Sequence, residues 1–100
     1  MDTFGDLIRT KREEQEMLLR HLSASVDMDM ALLSKIERGD RFARIEQVEK
    51  LAEVLNIDLE ELKSVWLADR IVSLANKEEN GLELLTAALK KVNKYIKKQQ

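Results

Sequence analysis

The chain has 100 residues, 44% hydrophobic and 36% charged, with no cysteine, no proline, three glycines and one histidine. That length supports one sizeable hydrophobic core; the apolar content excludes disorder, and charges broken up along the chain leave no run able to span a bilayer. Without cysteine and with a lone histidine, disulfides, thiolate metal sites, a cysteine nucleophile and paired-histidine ligand sets are excluded, so neither a cofactor nor enzymatic activity is expected. The first residues carry acids, Asp2 and Asp6, rather than a basic segment leading into an apolar one. No signal peptide is read there, and a cytoplasmic protein is expected.

Leu, Lys, Glu and Ala dominate, which is the composition of helices, and the fold class expected is all-α. Thr3 and Asp6 form a capping-box variant, after which Phe4, Leu7, Ile8 and Lys11 fall at helical spacing. The end of this first helix is unmarked: residues 12–20 contain no Gly, Pro or Ser, and propensity alone lets helix continue to about Ser25. Val26, Asp27 and Met28 interrupt the pattern. Asp29 is a strong N-cap for residues 30–38, with Leu32, Leu33 and Ile36 apolar and Gly39 as the stop. A loop at residues 40–44 precedes an amphipathic run of Ile45, Val48, Leu51, Ala52 and Leu55, ended by Asn56.

Asp58 and Glu61 make the next capping box, opening a helix through Leu59, Leu62, Val65, Trp66, Ile71 and Leu74 to about Ala75. Asn76 with Glu79 can cap a last helix, in which Leu82, Leu85, Leu89, Val92 and Ile96 recur three and four residues apart, the spacing of a coiled-coil seam. Lys90, Lys91, Lys94, Lys97 and Lys98 lie on its other side. Three readings stand for this helix: a dimerisation seam, a helix folded back on the Trp66 helix with Trp66 as an anchor beneath it, or a membrane-surface helix, the last being the least favoured.

The net charge of −2 argues weakly against nucleic acid, where a basic domain is the usual footprint. Its distribution says more: residues 45–80 hold nine acids and four bases, whereas residues 81–100 hold five lysines and one glutamate. Phosphate contact depends on where the cations point rather than on their sum.

The most informative stretch is 18–39, two short helices meeting at a turn. Ser23 is the small residue where the second helix would cross the first, Asp27 tolerates positive φ, and Leu22, Val26, Leu33 and Ile36 are apolar anchors. With Leu-Leu-Ser-Lys-Ile-Glu-Arg-Gly at 32–39, the basic loop Asp40-Arg41-Phe42-Ala43-Arg44 and the helix after it, this resembles the helix-turn-helix of the lambda-repressor and Cro type, also called the xenobiotic-response-element type. The resemblance covers roughly residues 4–63. It implies a five-helix DNA-binding domain at 1–63, with residues 64–100 an additional C-terminal helical extension for assembly or dimerisation.

The resemblance further implies that residues 30–38 form the recognition helix in the major groove, with Met30, Ala31, Ser34 and Lys35 facing bases. Lys35 can donate to guanine O6 and N7, Ser34 can pair with several bases, and Met30 or Ala31 can touch a thymine methyl. Asp29 is a cap that could also accept from cytosine N4. Arg41 and Arg44 sit where the family grips phosphate, and Arg9, Arg20 and Arg38 are further candidates; for each the plain alternative is a solvated charge. Arg12 and Glu37 are expected to pair structurally, as family members often do.

The family's usual Gly-Leu-Ser-Gln opening of the second helix is here Glu16-Met17-Leu18-Leu19, so the hydroxyl cap and the DNA-contacting glutamine are missing. The Gly common in the turn is Asp27. His21 is read as a surface residue, and Ser23, Ser25 and Ser34 have no partner histidine for hydrolysis. A narrower resemblance is to regulators of restriction-modification systems. The function implied is a sequence-specific transcriptional regulator, dimeric on a palindromic operator of double-stranded DNA, without membrane association. The alternative is an antitoxin-like interaction module that holds a protein partner through its C-terminal helices and binds DNA secondarily.

Overall fold

A computed structural model of the chain describes residues 3–99; Asp2 lies outside them. Six helices follow in order: α1 (Phe4–Glu14), α2 (Leu19–Ser25), α3 (Met30–Glu37), α4 (Ile45–Leu55), α5 (Leu59–Asn76) and α6 (Gly81–Gln99). No strand occurs among the described residues. The chain forms two compact units, one up to Asp69 and one from Arg70 on, the division falling within α5.

In the first unit the apolar positions at helical spacing converge on one core. Ile8, Leu22, Leu33, Ile36, Val48, Leu51, Leu55 and Leu62 are fully buried, and burial of each contributes about 1.5 to 3 kcal/mol. Thr3 caps α1 through the full reciprocal box, its hydroxyl accepting from Asp6 N–H while the Asp6 carboxylate accepts from Thr3 N–H. The next orphan donor of α1, Phe4 N–H, is satisfied from α5, donating to Asp69 Oδ2 at 2.7 Å. A carboxylate at a helix N-terminus also meets the positive end of its dipole. This tie joins residues 65 apart in sequence, which no local pattern announces.

The open question at the end of α1 is settled by Glu16, whose φ is +56°. Helix stops at Glu14, and α2 starts afresh at Leu19. The same closure ends α2, α3 and α4, with Asp27 at φ +51°, Gly39 at +81° and Asn56 at +55°. Each left-handed residue lets the following N–H reach back across the last turn: Met17 to Arg12 O, Met28 to Ser23 O, Asp40 to Lys35 O and Ile57 to Ala52 O, at 2.9 to 3.0 Å. This is the Schellman closure, in which orphan carbonyls of the helix end are satisfied. Three of the four left-handed positions are not glycine, and Glu16 stands where the family resemblance has one.

The missing hydroxyl cap of α2 is partly replaced. Leu18 supplies no side-chain acceptor, but His21 Nδ1 accepts from Leu18 N–H at 3.3 Å, so His21, though exposed, has a local role. That bond requires the Nε2–H tautomer of the ring. In α4 the corresponding half-box runs from Arg44 N–H to Gln47 Oε1 at 2.8 Å.

One expectation is corrected. The last helix does not begin at an Asn76–Glu79 cap: Asn76 still belongs to α5, and α6 starts at Gly81. Gly81 passes so close to Ala75 O that a Cβ there would lie 2.5 Å from it, so the glycine is what lets the chain turn into α6. Trp66 is a packing anchor in the core of the first unit, with its indole bonded to Ala43. In α6 itself only Leu85 and Gly81 are partly buried among residues 81–98, and Leu82, Leu89, Val92 and Ile96 are exposed.

A non-glycine residue held in the left-handed region costs roughly 1 to 2 kcal/mol. Glu16→Gly should therefore raise stability by about 1 kcal/mol, read as a higher urea midpoint with an unchanged slope.

Candidate nucleic-acid interface

Helix α3 is short, and its eight residues would not hold a position by propensity alone. It is fixed at three places. At its start, Ser23 Oγ donates to Met28 O at 2.6 Å while Met28 N–H returns to Ser23 O. Ser23 is thus both the small residue at the crossing and the clamp on the turn. Asp29 then caps α3, its Oδ2 accepting from Ala31 N–H at 3.1 Å and Leu32 N–H at 3.3 Å. That carboxylate oxygen is engaged with the backbone, which favours the cap role over contact with a base.

At its far end α3 meets α1. Arg12 Nε donates to Glu37 Oε2 at 2.8 Å and Arg12 Nη2 to Glu37 Oε1 at 3.0 Å, a two-pronged pair in which Glu37 is buried. Arg12 Nη1 also donates to Met17 O at 2.9 Å, so one guanidinium ties α1 to α3 and to the bend before α2. The hydrogen bond to Glu37 raises the Arg12 pKa, with burial opposing it, so the group stays charged. Two turns earlier on α1, Gly5 is buried against α3, where a Cβ would collide with the carbonyl oxygens of Ile36 and Glu37. The sequence reading missed this use of Gly5; a lone glycine one residue into a helix was the available signal.

The third tie holds the loop after α3. Trp66 Nε1 donates to Ala43 O at 2.8 Å, and Ala43 is buried. The loop that carries Arg41 and Arg44 is therefore pinned between them to the core, with both arginines exposed.

With Leu33, Ile36 and Glu37 buried, the other side of α3 presents Met30, Ala31 and Lys35 exposed and Ser34 half-buried. Met30 is 48% exposed and Phe42, in the loop, 47%, so apolar surface lies among the cations. The arginines divide into two groups. Arg9 is bonded to Glu13 at 3.0 Å and Arg38 to Asp40 at 3.4 Å. Arg20, Arg41, Arg44 and Lys35 make no ion pair among the described residues. No three His, Cys, Asp or Glu residues cluster to hold a metal ion among the described residues.

The family model for helix-turn-helix matches residues 8–62. The chain belongs to the helix-turn-helix family, of the lambda-repressor and Cro type. The matched stretch runs from Ile8 in α1 to Leu62 in α5, and so contains the α2–α3 pair and all three ties that hold α3 except the Trp66 end of the last. This helix-turn-helix protein is by its family a DNA-binding regulator. No curated protein matches the chain, and the narrower likeness to restriction-modification regulators gains no support from the family match. No helix of the described residues is long and apolar enough to cross a membrane.

Removing one member of a buried ion pair leaves the other charge uncompensated. Glu37→Ala should lower stability by about 3 kcal/mol, and Arg12→Met combined with Glu37→Leu should recover most of that loss, both measured by urea denaturation.

Proposed function

We propose that this helix-turn-helix protein is a sequence-specific transcriptional regulator that binds a palindromic operator as a dimer. Half-sites would lie one helical turn, about 34 Å, apart. The observation that supports this best is the fixation of α3 at both ends with an outward face of Met30, Ala31, Ser34 and Lys35. A recognition helix held this way needs no reordering when it enters the groove. In this reading Lys35 and Ser34 take the hydrogen-bonding base edges and Met30 and Ala31 the thymine methyls.

Arg41 and Arg44 are the leading phosphate contacts, because they are exposed, unpaired among the described residues and carried by a loop pinned at Ala43. Arg20 is next. Arg9 and Arg38 stand behind them, since each already has a carboxylate neighbour. The helices after residue 63 serve assembly of the dimer. The second reading, an interaction module of antitoxin type, draws on the exposed apolar residues of α6, which could receive a protein partner instead.

Selection of duplexes from a random pool by the purified protein, at low and at physiological salt, tests the proposal. Enrichment of an inverted repeat with half-sites about one turn apart is the expected result. Weak binding that vanishes with salt and enriches nothing would overturn it in favour of the protein-partner reading. On the enriched site, Arg41→Ala and Arg44→Ala should weaken binding to every duplex and each lower the salt slope by about one. Lys35→Ala should cost about 1 to 3 kcal/mol and relax preference at one base position, measured by titration against single-base variants.

A further inference from the structure

We propose that the lysine side of α6 is a second DNA-binding surface, one that takes the phosphate backbone of a duplex without regard to sequence. This deepens the regulator reading above and rests on it. The observation behind it is where the charges sit. Up to Asp69 the chain holds ten Lys and Arg against sixteen Asp and Glu, a net charge of −6; from Arg70 on it holds seven against three, a net of +4. A duplex is a dense polyanion, and affinity for any sequence comes from cations that displace its counterions. The unit that contains the helix-turn-helix is therefore repelled as a whole by the molecule it reads, and four of its ten cations already lie in ion pairs: Arg9, Lys11, Arg12 and Arg38.

Helix α6 carries the compensating charge in one place. With 3.6 residues per turn, Lys90, Lys91, Lys94, Lys97 and Lys98 fall within an arc of about 120° and about 12 Å of helix axis. All five are exposed, and none makes an ion pair among the described residues. The apolar stripe of Leu82, Leu85, Leu89, Val92 and Ile96 lies on the opposite side, so the lysines stay accessible whatever covers the stripe. Glu83, the one acid of α6, lies two turns before Lys90, and its neighbours at i+3 and i+4 are Thr86 and Ala87.

Lys94 stands three or four residues from each of the other four lysines, so like charges surround it on the helix surface. The helix dipole favours cations in the last turn, which accounts for Lys97 and Lys98 but not for Lys90 and Lys91. The five charges recur about once per 3 Å of axis, a density that single carboxylates do not match, whereas one strand of a duplex presents a charge about every 3.4 Å. Lysine is a flexible point charge without fork geometry, suited to phosphate and indifferent to base. A bilayer fits less well. Seated on lipid by its stripe, α6 would hold the lysines on its far side, about a helix diameter of 10 Å from the headgroups, which is a full Debye length.

The full-length protein with Lys90→Gln, Lys91→Gln, Lys94→Gln, Lys97→Gln and Lys98→Gln combined tests this, glutamine having a helix propensity close to that of lysine. Binding to a labelled duplex of scrambled sequence is read by anisotropy across a salt series, with circular dichroism and the emission of Trp66 as controls of folding. The variant should bind more than about tenfold more weakly at low salt, and its slope of log K against log salt should be smaller by at least about two, each lysine on a phosphate contributing about 0.9. Arginine at the same five positions should keep both values. A smaller change of slope overturns the proposal. So does a glutamine variant that keeps its duplex affinity and loses binding to phosphatidylserine vesicles, which would assign the lysines to a lipid surface. An unmodified chain that binds no duplex at low salt defeats the regulator reading as well; operator enrichment by a chain whose slope ignores the five lysines defeats this proposal alone.

Discussion

A guanidinium and a carboxylate withdrawn from water are each destabilising by several kcal/mol unless they meet in good geometry with their remaining hydrogen-bonding capacity used. Arg12 and Glu37 meet that condition with two near-parallel hydrogen bonds, and the third donor direction of Arg12 is taken by Met17 O. The pair therefore does more than join two helices: it fixes where α1 ends, how the chain bends into α2, and how far the C-terminal end of α3 stands from α1. Gly5 permits the close approach that brings the pair together. Because the guanidinium is bound on three sides, α3 has little freedom to slide along its own axis.

The turns follow from a constraint of composition. With no proline and only three glycines, the chain closes α1, α2, α3 and α4 by one backbone device and uses glycine for it only at Gly39. Where the other left-handed residues stand, the residue after them is apolar and packs on the core: Met17, Met28 and Ile57. Burial of those side chains offsets the backbone strain. Gly5 and Gly81, the remaining glycines, are spent on close approaches of backbone to backbone.

Much of the fold was legible because local signals and tertiary demands agree. Asp29 and Gly39 bracket α3, Asn56 ends α4, and Asp58 opens α5, each through bonds that span no more than five residues. The α1–α2 break was not legible, since Glu16 has no intrinsic preference for positive φ, and the packing of Met17 on the core and the bond from Arg12 to Met17 O that accompany it are tertiary. The bonds of Trp66 and Asp69 were missed for the same kind of reason: their partners, Ala43 and Phe4, lie 23 and 65 residues away. At the interface, residue types at the face of α3 could be assigned from the family likeness. Which arginines are already occupied could not, because Glu13 and Asp40 compete for Arg9 and Arg38 through geometry that spacing alone leaves open.

The bond from Trp66 to Ala43 has an optical meaning as well. Trp66 is the only tryptophan of the chain, and its indole N–H ends on the loop that carries Arg41 and Arg44. Intrinsic fluorescence is therefore a single-site signal, blue-shifted while the ring is buried and the bond is made. The protein contains its own label at the joint between the core and the loop of Arg41 and Arg44, so movement of that loop can be followed in solution without attaching a dye.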